Sequence, residues 1–599
     1  MQTRPSLCAA ALLLVGLVPP VLGAAPENRP PQIEVTSFGA VPDDGQDDTA
    51  AVLAAFERCK TENARGVAFP RGRYDFHAPA EPEKRGVLFP VKELHDAVVD
   101  GRGSELIFHG ITGCFIFANC SGVTVRDLVI DWERPPFSVG VITAAAEGSF
   151  EVEVHPEFPV KGGEPVRAFM DYEPDTGLPC GQGLDVYALE TPLATELVRP
   201  QVLRVTLPPH VKTVTPGKWA VLRHEVYGRG AFSANACRDM RFEGITVHTC
   251  PGMAFTASGT ENVTLDRCAV QPRPGTRRLI SATADGSHFS GCTGDLVITN
   301  CVFDGQGDDA VNMKSGLFLT VTEMVDGQTV LARHNLGFPC PPAPGDAMEL
   351  MPQETLLPFG SVPVRSAELL EDRRTHRVVF EEPLPEGVKP GTLLANATRL
   401  PKARLKDCVF RRNRARGLLI QVRDAVVEDC VFSDVTSAGV LVISEAVHFY
   451  ESIPARHVVI RNNVFTHCNY GAAVARGVVS VEGITPGWGD VPAPGVFQDI
   501  TIEGNAFRGS DNAAVFMTGT DTAVLRNNVI EGVCARPTQP RCASALHIES
   551  SRNVAVTGNT AMKASQGPGC AAVLTLGDRN DSATITVSGD NGRAKRYIA

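Results

Sequence analysis

Two neighbouring stretches decide how this sequence folds: Ser281-Ala-Thr-Ala-Asp285-Gly-Ser-His288-Phe289 and Gly305-Gln-Gly307-Asp308-Asp309-Ala-Val-Asn312-Met313-Lys314. When the second is laid under the first so that Gly305 falls on Ser281, Asp309 falls on Asp285 and Asn312 falls on His288. An offset of one repeat in a β-solenoid places aligned residues on neighbouring coils, about 4.8 Å apart. The sequence therefore predicts a solenoid that brings three carboxylates together, those of Asp285, Asp308 and Asp309.

The alternation of residues after the second turn predicts where these carboxylates point. In a strand that begins at about Ala310, Val311 and Met313 suit the interior, whereas Asn312 and Lys314 suit the outer face. A bare carboxylate inside a solenoid is very costly, so we expect the preceding glycine-rich turn to hold both aspartates in a cleft. The alternative is a solvated corner. Like charges stacked on adjacent coils raise a pKa and cost stability, which favours a functional site.

Short β-branched strands that end in Asn or Gly turns recur along most of the chain. Phe410 and Phe432 close two successive strands of this kind, and most other intervals in the chain are similar to the one between them. A period of this size is typical of a parallel β-helix, so we expect an all-β fold of that kind. The repeated strands are expected at residues 123–130, 240–247, 262–265, 296–303, 403–410, 425–432, 457–465, 500–507, 524–530 and 553–559.

Two blocks that are richer in Pro and charge do not follow the repeat. Each contains strand-like pieces, so we expect each to be a small antiparallel β-barrel inserted into a solenoid turn. They leave the solenoid shortly after Asp131 and Lys314, where they can wall the cleft. The predicted division is a signal peptide at 1–24, an N-terminal β-helix part with a capping helix at 25–140, a first barrel at 141–235, catalytic coils at 236–317, a second barrel at 318–400 and a C-terminal β-helix part at 401–599.

The N-terminal segment 1–24 has the pattern of an export signal, with Arg4 before an apolar run and small residues at the cleavage point. No later stretch reaches 18 uninterrupted apolar residues, so we expect a secreted or periplasmic protein without a membrane span. The net charge of −12 offers no basic stripe, which argues against a nucleic acid partner.

Cysteines occupy equivalent positions in several repeats. Cys301, Cys408 and Cys430 each begin a Cys-Val-Phe triplet, which predicts a ladder of buried thiols that pack as small hydrophobic groups. Cys534 and Cys542 lie in a Pro-rich loop and are better candidates for a disulfide.

Three carboxylates in one open groove predict glycoside hydrolysis by single displacement. One Asp protonates the departing oxygen, while another, across a gap that admits water, activates the nucleophile. Neighbouring negative charges keep the pKa of the acid high enough to hold its proton. The sequence lacks Cys/His metal spacing and a phosphate-binding Gly loop, and no metal or cofactor is expected. It also lacks a Gly-x-Ser-x-Gly elbow, so a Ser/His/Asp triad is not supported.

Several motifs carry a family resemblance. Residues 33–60, 67–74 and 98–108 resemble the entrance of pectin-lyase-like right-handed β-helices, and Asp285-Gly, Gly307-Asp308-Asp309 and Lys314-Ser315 resemble the catalytic coil of polygalacturonases, although Gly-His-Gly and Arg-Ile-Lys are missing. Motifs at 130–138, 222–228, 284–288, 307–312, 413–421 and 449–452 resemble glycoside hydrolase family 110, the bacterial α-1,3-galactosidases, over nearly the whole mature chain.

This second resemblance implies a right-handed β-helix with two small barrels and inverting release of terminal α-1,3-linked galactose, from blood-group-B-type or linear glycans, without a metal. It implies that Asp308 is the acid and that Asp285 or Asp309 is the base. It also implies that the indole of Trp132 stacks on galactose, beside Asp131 and Glu133; the alternative for these three is a capped turn with a core tryptophan. The remaining expected sugar ligands are Arg223, His224, His288, Asn312, Lys314, Arg416, Gln421 and Glu445. Arg223 and His224 would link the first barrel to the cleft. The alternative for Glu445 is a capped turn, and the alternative for the other five is a solvated surface position.

Three other functions stay open. One is an inverting hydrolase of another terminal sugar or of a polysaccharide on the same scaffold. Another is a polysaccharide lyase, which needs a basic residue for proton abstraction and usually calcium. The last is a non-catalytic glycan-binding solenoid, which leaves the stacked aspartates unexplained.

Overall fold

The computed structural model describes residues 29–79, 86–211, 214–335, 341–471, 475–486, 491–561, 565–581, 584–588 and 597–598. The expected signal peptide at 1–24 lies outside these residues. Within them, an α-helix at Thr49–Glu62 covers the first coil, and short 3-10 helices lie at Val35–Phe38 and Pro540–Cys542. No helix in the described ranges has both the length and the apolar character needed to cross a membrane.

The rest of the described residues form a parallel β-helix with two antiparallel insertions, as the sequence predicts, and the strand numbers that follow refer to these residues. Its first sheet has 23 strands: Ile33–Glu34, Gly66–Ala68, Arg73–His77, Val98–His109, Ser121–Trp132, Arg238–Glu243, Thr246–Val247, Glu261–Asp266, Ala269–Val270, Thr293–Thr299, Val302–Asp304, Lys402–Lys406, Val409–Arg411, Ala425–Glu428, Val431–Ser433, Arg456–Arg461, Val464–Thr466, Phe497–Glu503, Ala506–Arg508, Thr520–Arg526, Val529–Glu531, Arg552–Thr557 and Thr586–Ser588. Its second sheet has 13 strands: Val87–Lys92, Gly113–Ala118, Phe232–Asn235, Phe255–Ser258, Ser287–Ser290, Val311–Lys314, Leu418–Gln421, Val440–Glu445, Gly477–Ile484, Ala513–Thr518, Ser544–Glu549, Ala572–Leu576 and Tyr597–Ile598.

Side chains at equivalent coil positions stack to form the core. Phe410 pairs in register with Phe432, so the repeat predicted from these two residues is confirmed at that point. The rings of Phe303, Phe410, Phe432 and Phe465 stack with successive centroid distances of 5.4, 4.7 and 4.7 Å. Because every coil places its inward residues on the same lines, the register of one coil fixes that of the next.

The first insertion is a seven-stranded antiparallel sheet rather than the expected closed barrel, formed by Phe137–Ala146, Ser149–Val154, Ala168–Tyr172, Asp185–Tyr187, Thr195–Arg199, Val202–Thr206 and Trp219–Arg223. The second is a closed six-stranded barrel, formed by Leu319–Met324, Thr329–His334, Ala347–Pro352, Gly360–Leu369, Thr375–Phe380 and Thr392–Asn396. Each has its own apolar core, with Phe150, Phe169 and Leu203 in the first and Leu350, Val364 and Phe380 in the second. The insertions therefore pack as separate bodies joined to the solenoid at its turns.

The predicted thiol ladder is present. Cys301, Cys408 and Cys430 are buried free cysteines, and the Sγ of Cys301 accepts from the backbone N–H of Cys268 at 3.4 Å. The expectation that Cys534 and Cys542 take part in a disulfide is wrong, since both are free thiols in the described structure. Cys534 instead contacts the thiol of Cys570, and the backbone N–H of the neighbouring Gly569 donates to the carbonyl oxygen of Cys534 at 3.0 Å.

Candidate active site

The three aspartates meet where two successive coils turn into the second sheet. Asp285 precedes Ser287–Ser290, and Asp308 and Asp309 precede Val311–Lys314. His288 pairs with Asn312 across these strands, which confirms the predicted alignment of the two stretches. One carboxylate oxygen of each aspartate lies within 4.8 Å of the others. Asp308 is the most accessible of the three, 8% exposed against 3% for Asp285 and 2% for Asp309.

A glycine turn shapes the backbone before Asp308. Gly305 has a φ of +69°, which side chains disfavour. At Gly307, a Cβ would lie 2.3 Å from the carbonyl oxygen of Thr283 and 2.8 Å from Nη1 of Arg223, so no larger residue fits. The turn packs this tightly because a buried arginine lies between the two coils.

That arginine comes from the first insertion. Arg223, at the end of its last strand, is almost fully buried, and its Nη1 donates to the carbonyl oxygens of Thr283 at 3.0 Å and Gly307 at 2.8 Å. Its guanidinium also lies over the ring of Tyr187, 4.7 Å from the centroid. One side chain therefore joins the insertion to both turns that carry the aspartates.

The carboxylate of Asp308 accepts hydrogen bonds from side chains of two separate parts of the chain. The hydroxyl of Tyr227 donates to Oδ2 at 2.5 Å, and Nη1 of Arg414 donates to Oδ1 at 3.1 Å. Arg414 stacks on Tyr187 at 4.4 Å and is also held by Asp185 at 2.8 Å. Burial raises the pKa of Asp308, but the arginines and the Tyr227 hydroxyl outweigh it, so the pKa lies below its usual value. The expectation that neighbouring negative charges keep the pKa of the acid high is therefore wrong for Asp308.

The other two carboxyls have different partners. Asp309 faces Arg416, whose Nε and Nη2 lie 2.8 and 2.9 Å from its oxygens. Burial raises the pKa of Asp309 well above its usual value, with Arg416 acting in the opposite direction and Asp308 adding to the rise. Asp285 contacts only the Nδ1 of His288, at 2.8 Å, among the described side chains. Burial and the charge of Asp308 raise its pKa well above the usual value.

We therefore expect the proton of the free protein to lie on Asp285. Asp309 has a direct cationic partner and Asp285 has none among the described residues, so ionising Asp285 is the more costly. His288 cannot supply a charge, because burial and then Lys314 lower its pKa to about 3.

A cavity of about 380 Å³, within the size range of small-molecule sites, reaches the cluster through Arg414 and Arg416, while the three aspartates themselves are not among its lining residues. Arg414 and Arg416, which contact Asp308 and Asp309, line its polar side together with Gln421. Leu419 and Leu441 on the outer face of the second sheet line an apolar side. Gly183 and Asp185 of the first insertion lie at its exposed edge, while no residue of the second insertion is among those that line it in the described structure.

Most of the predicted sugar ligands lie at this cluster or cavity. His288 and Asn312 lie on adjacent strands, and Lys314, next but one to Asn312, pairs with Glu451 at the cavity wall. Glu445 lines the cavity, but its carboxylate accepts from the backbone N–H groups of Val447 at 3.0 Å and His448 at 2.7 Å. Glu445 therefore caps a turn, which restricts it as a sugar ligand. Arg416, Gln421 and Arg223 are positioned as described above.

Four predicted ligands lie elsewhere. Trp132 is fully buried and stacks on Phe108 at 4.8 Å, so the expected stacking of its indole on galactose is wrong. Its neighbours Asp131 and Glu133 lie on a coil that is three repeats from the Asp308 coil, about 14 Å along the axis. Both carboxylates form ion pairs with arginines there. The prediction that His224 binds sugar is also wrong. Its ring nitrogens bond Ser138 at 2.8 Å and the Pro165 carbonyl at 2.9 Å inside the first insertion.

Sequence reasoning missed three residues of the site: Tyr187, Tyr227 and Arg414. Arg414 lies within the motif at 413–421, two positions before Arg416, and the coil register aligns it with Gly307. That register was a usable signal. Tyr187 and Tyr227 come from the insertion and its return to the solenoid, where no repeat relates them to the aspartates.

The aspartate cluster is also the group of described residues whose oxygens lie close enough to hold a metal ion. The surrounding charges argue against that use. Guanidinium groups of Arg414 and Arg416 already donate to Asp308 and Asp309, so positive charge is supplied by the chain itself.

The fold and this carboxylate site define a glycosidase on a parallel β-helix, and relatives of the chain support that class. The chain is 28% identical over 548 residues to an α-1,3-galactosidase A of Bacteroides fragilis, covering 85% of this chain and 88% of the relative. It is 26% identical over 567 residues to an α-1,3-galactosidase B of Bacteroides thetaiotaomicron, covering 88% and 90%. The resemblance to bacterial α-1,3-galactosidases is thereby confirmed.

Other comparisons are more distant. No protein-family model matches the chain. Among solved structures, the A-module of a mannuronan C-5 epimerase from Azotobacter vinelandii aligns with a TM-score of 0.42 and 12% identity, covering 93% of this chain and all of that module.

Proposed function

We propose that this protein is an exo-acting glycosidase that removes terminal α-1,3-linked galactose from glycans by single displacement. The observation that carries the proposal is the buried group of three aspartates whose oxygens lie within 4.8 Å, beside a cavity of about 380 Å³. The names of the relatives supply the sugar and the linkage. Blood-group-B-type branched glycans and linear α-1,3-galactosides are both within the proposed substrate class.

The spacing of the carboxylates fits a shared water molecule. A water that makes two hydrogen bonds of about 2.8 Å at a near-tetrahedral angle joins oxygens about 4.6 Å apart. Asp285 and Asp309 are close enough to hold such a water together. In most inverting enzymes the acid and the base are about 6.5–9.5 Å apart, which is wider than the 4.8 Å within which these carboxylate oxygens lie. Inversion in this proposal therefore depends on the water molecule held between Asp285 and Asp309.

Asp308 acts as the acid in this proposal. It is the most accessible of the three carboxyls, and it lies beside the half-exposed Tyr227. Because the three carboxyls are so close, their protons belong to the group rather than to one residue. A glycosidic oxygen set against Asp308 draws the proton there, and Asp285 and Asp309 are then ionised to activate the water.

The hydroxyl groups of galactose find unmet partners at the cluster. Oδ1 of Asn312 and Oε1 of Gln421 are buried and make no hydrogen bond among the described residues. Buried polar atoms of this kind cost stability unless a partner satisfies them. Both oxygens are acceptors, so they suit sugar hydroxyls, and Arg416 adds a donor at the same wall.

A glycan panel with purified protein tests the activity. We expect free galactose from α-1,3-linked galactosides and none from the α-1,4- or β-linked controls. Full activity in chelator, without an ultraviolet-absorbing unsaturated product, is expected and separates hydrolysis from a calcium-dependent lyase. Glycan retention without any released sugar would point to the non-catalytic binding solenoid instead.

Stereochemistry tests the mechanism. Proton NMR in the first minutes should show β-galactose rising before mutarotation, and no galactosyl-enzyme adduct should accumulate. If α-galactose appears first, the proposed position of the water molecule is wrong, and Asp285 and Asp309 do not hold the nucleophile.

Export is a separate part of the proposal and rests on the pattern of residues 1–24. N-terminal sequencing of the protein recovered from the medium or periplasm should begin near residue 25. A cell-bound protein that retains Met1 would contradict it.

A further inference from the structure

The segment from 446 to 452, which we name the strap, crosses the outer face of the second sheet beside the cavity. It leaves the strand Val440–Glu445 and returns to the strand that follows Asp309, where Glu451 pairs with Lys314. Backbone N–H groups at its start donate to Glu445, so its first turn is held by a buried carboxylate.

The second insertion holds the strap from the other side. Nε2 of Gln353 donates to the carbonyl oxygen of Ala446 at 2.7 Å and to the hydroxyl of Tyr450 at 3.1 Å. The backbone N–H of Phe318 donates to the carbonyl oxygen of Tyr450 at 2.8 Å. The strap backbone is thus anchored at both ends and along its middle.

Phe449 differs from the rest of this anchored segment because its side chain is largely exposed. Its side chain is 61% exposed, more than any other large apolar side chain in the described structure, yet it lines the cavity. It lies with His448 at the exposed edge of the lining, where Asp185 and Gly183 of the first insertion are also exposed. A single exposed apolar residue is ordinary on a surface, but a rigid backbone that presents one at a cavity mouth is typical of a binding contact.

We infer that Phe449 is a specificity-determining residue that stacks on the sugar unit on the leaving-group side of the scissile bond. This inference rests on the proposed glycosidase function. The terminal sugar needs hydroxyl partners, which the polar wall with Arg416 and Gln421 supplies near the aspartates. The rest of the glycan must leave through the exposed mouth, and the aromatic face there matches the apolar C–H face of a pyranose ring.

Two substrates separate this contact from the chemistry. α-Galactosyl fluoride carries no leaving-group sugar, whereas an α-1,3-linked galactose disaccharide carries one. We expect Phe449→Ala to lower kcat/KM on the disaccharide about three- to tenfold and to leave the fluoride within about twofold of the unchanged protein. Phe449→Tyr should restore most of the loss. The matched control is Phe359→Ala, an exposed phenylalanine of the second insertion that does not line the cavity.

Calorimetric binding to Asp309→Asn protein gives a readout that does not need turnover. Adding Phe449→Ala should weaken binding of the disaccharide and leave binding of galactose unchanged. An equal loss for both ligands, or no loss for the disaccharide, overturns the inference. Failure of the proposed function looks different, because the unchanged protein would then hydrolyse neither substrate.

Discussion

At the scale of single residues, the main feature of the site is the negative charge of three buried carboxylates. Asp285, Asp308 and Asp309 cannot all be ionised within 4.8 Å of one another in a buried setting. Arg414 and Arg416 each compensate one of them, and Asp285 is left with a neutral histidine. The cluster therefore stores a proton at the cost of stability, which is common where a carboxyl must act as an acid.

The first prediction concerns stability against pH. The pKa of Asp285 is raised in the folded protein, so its favourable contribution is present below the unfolded pKa of about 4 and is lost as pH rises through the folded value. Asp285→Asn imitates the protonated form and should melt at nearly the same temperature as the unchanged protein at pH 4. At pH 8 it should melt at a higher temperature. A difference that does not grow between pH 4 and pH 8 would mean that Asp285 is ionised without cost.

The second prediction separates acid from base. Asp285→Asn, Asp308→Asn and Asp309→Asn should each lower turnover on a glycan by at least about 100-fold, as expected when a positioned acid or base is lost. If Asp308 is the acid, its variant should lose much less on a galactoside with a very good leaving group, which needs little protonation. A variant that still melts like the unchanged protein supplies the folding control. Equal losses of Asp308→Asn on both substrates would move the acid role away from Asp308.

At the scale of elements, one equivalent position of successive coils is occupied first by a row of cysteines and then by a row of asparagines. Cys268, Cys301, Cys408 and Cys430 occupy it in the earlier coils, and the backbone N–H of Cys430 then donates to Oδ1 of Asn463 at 2.9 Å. From there, buried asparagines continue the line, with Asn463, Asn505, Asn528 and Asn559 bonded in succession. The position accepts either a small apolar thiol or an amide whose hydrogen bonds are met by the next coil.

The third prediction follows from the thiol part of this ladder. Cys301, Cys408 and Cys430 should be alkylated only in denaturant, and reductant should leave the melting temperature unchanged, since these three are free thiols. Cys408→Ser should lower the free energy of unfolding by about 1 kcal/mol while kcat stays the same, because burial of the thiol contributes packing. Recovery of two of these cysteines as one cystine-linked peptide pair would contradict the ladder.

Elements were predictable where the chain repeats itself. The offset that aligns Asp285 with Asp309 is a property of two adjacent coils, so the sequence contains it directly. The prediction for Trp132 is wrong because it groups the indole with its polar neighbours. The alternation of Leu128, Ile130 and Trp132 already directs the indole inward, where Phe108 pairs with it.

At the scale of the whole molecule, the site depends on how an insertion sits on the solenoid. Tyr187, Arg223 and Tyr227 reach the aspartates from the first insertion and its return, and no periodicity relates them to a coil. Their contacts are set by tertiary packing of two separate cores. That is why the carboxylates were predictable and much of their surroundings was not.

The fourth prediction tests this dependence through Arg223. Its Nη1 is the shared donor for the carbonyl oxygens of Thr283 and Gly307, so its loss should let the Asp285 and Asp308 turns move relative to each other. We expect Arg223→Met to lower kcat at least about tenfold with a smaller change in KM, because positioned groups lose catalysis through displacements of about 1 Å. The pH profile of kcat should also shift, since the proton-sharing group changes its spacing.

The same substitution removes the donor of the Thr283 carbonyl and leaves the Gly307 carbonyl with only the Tyr187 hydroxyl at 3.4 Å. An unpaired buried carbonyl costs about 1–3 kcal/mol, so a lower melting temperature is expected as well. Kinetics are therefore measured well below the melting temperature of the variant. Arg199→Met is the matched control, because Arg199 lies in the same insertion but is exposed and forms a surface ion pair with Glu153 at 3.7 Å. A variant with a lowered melting temperature but an unchanged kcat and pH profile would show that Arg223 holds the fold together without positioning the aspartates.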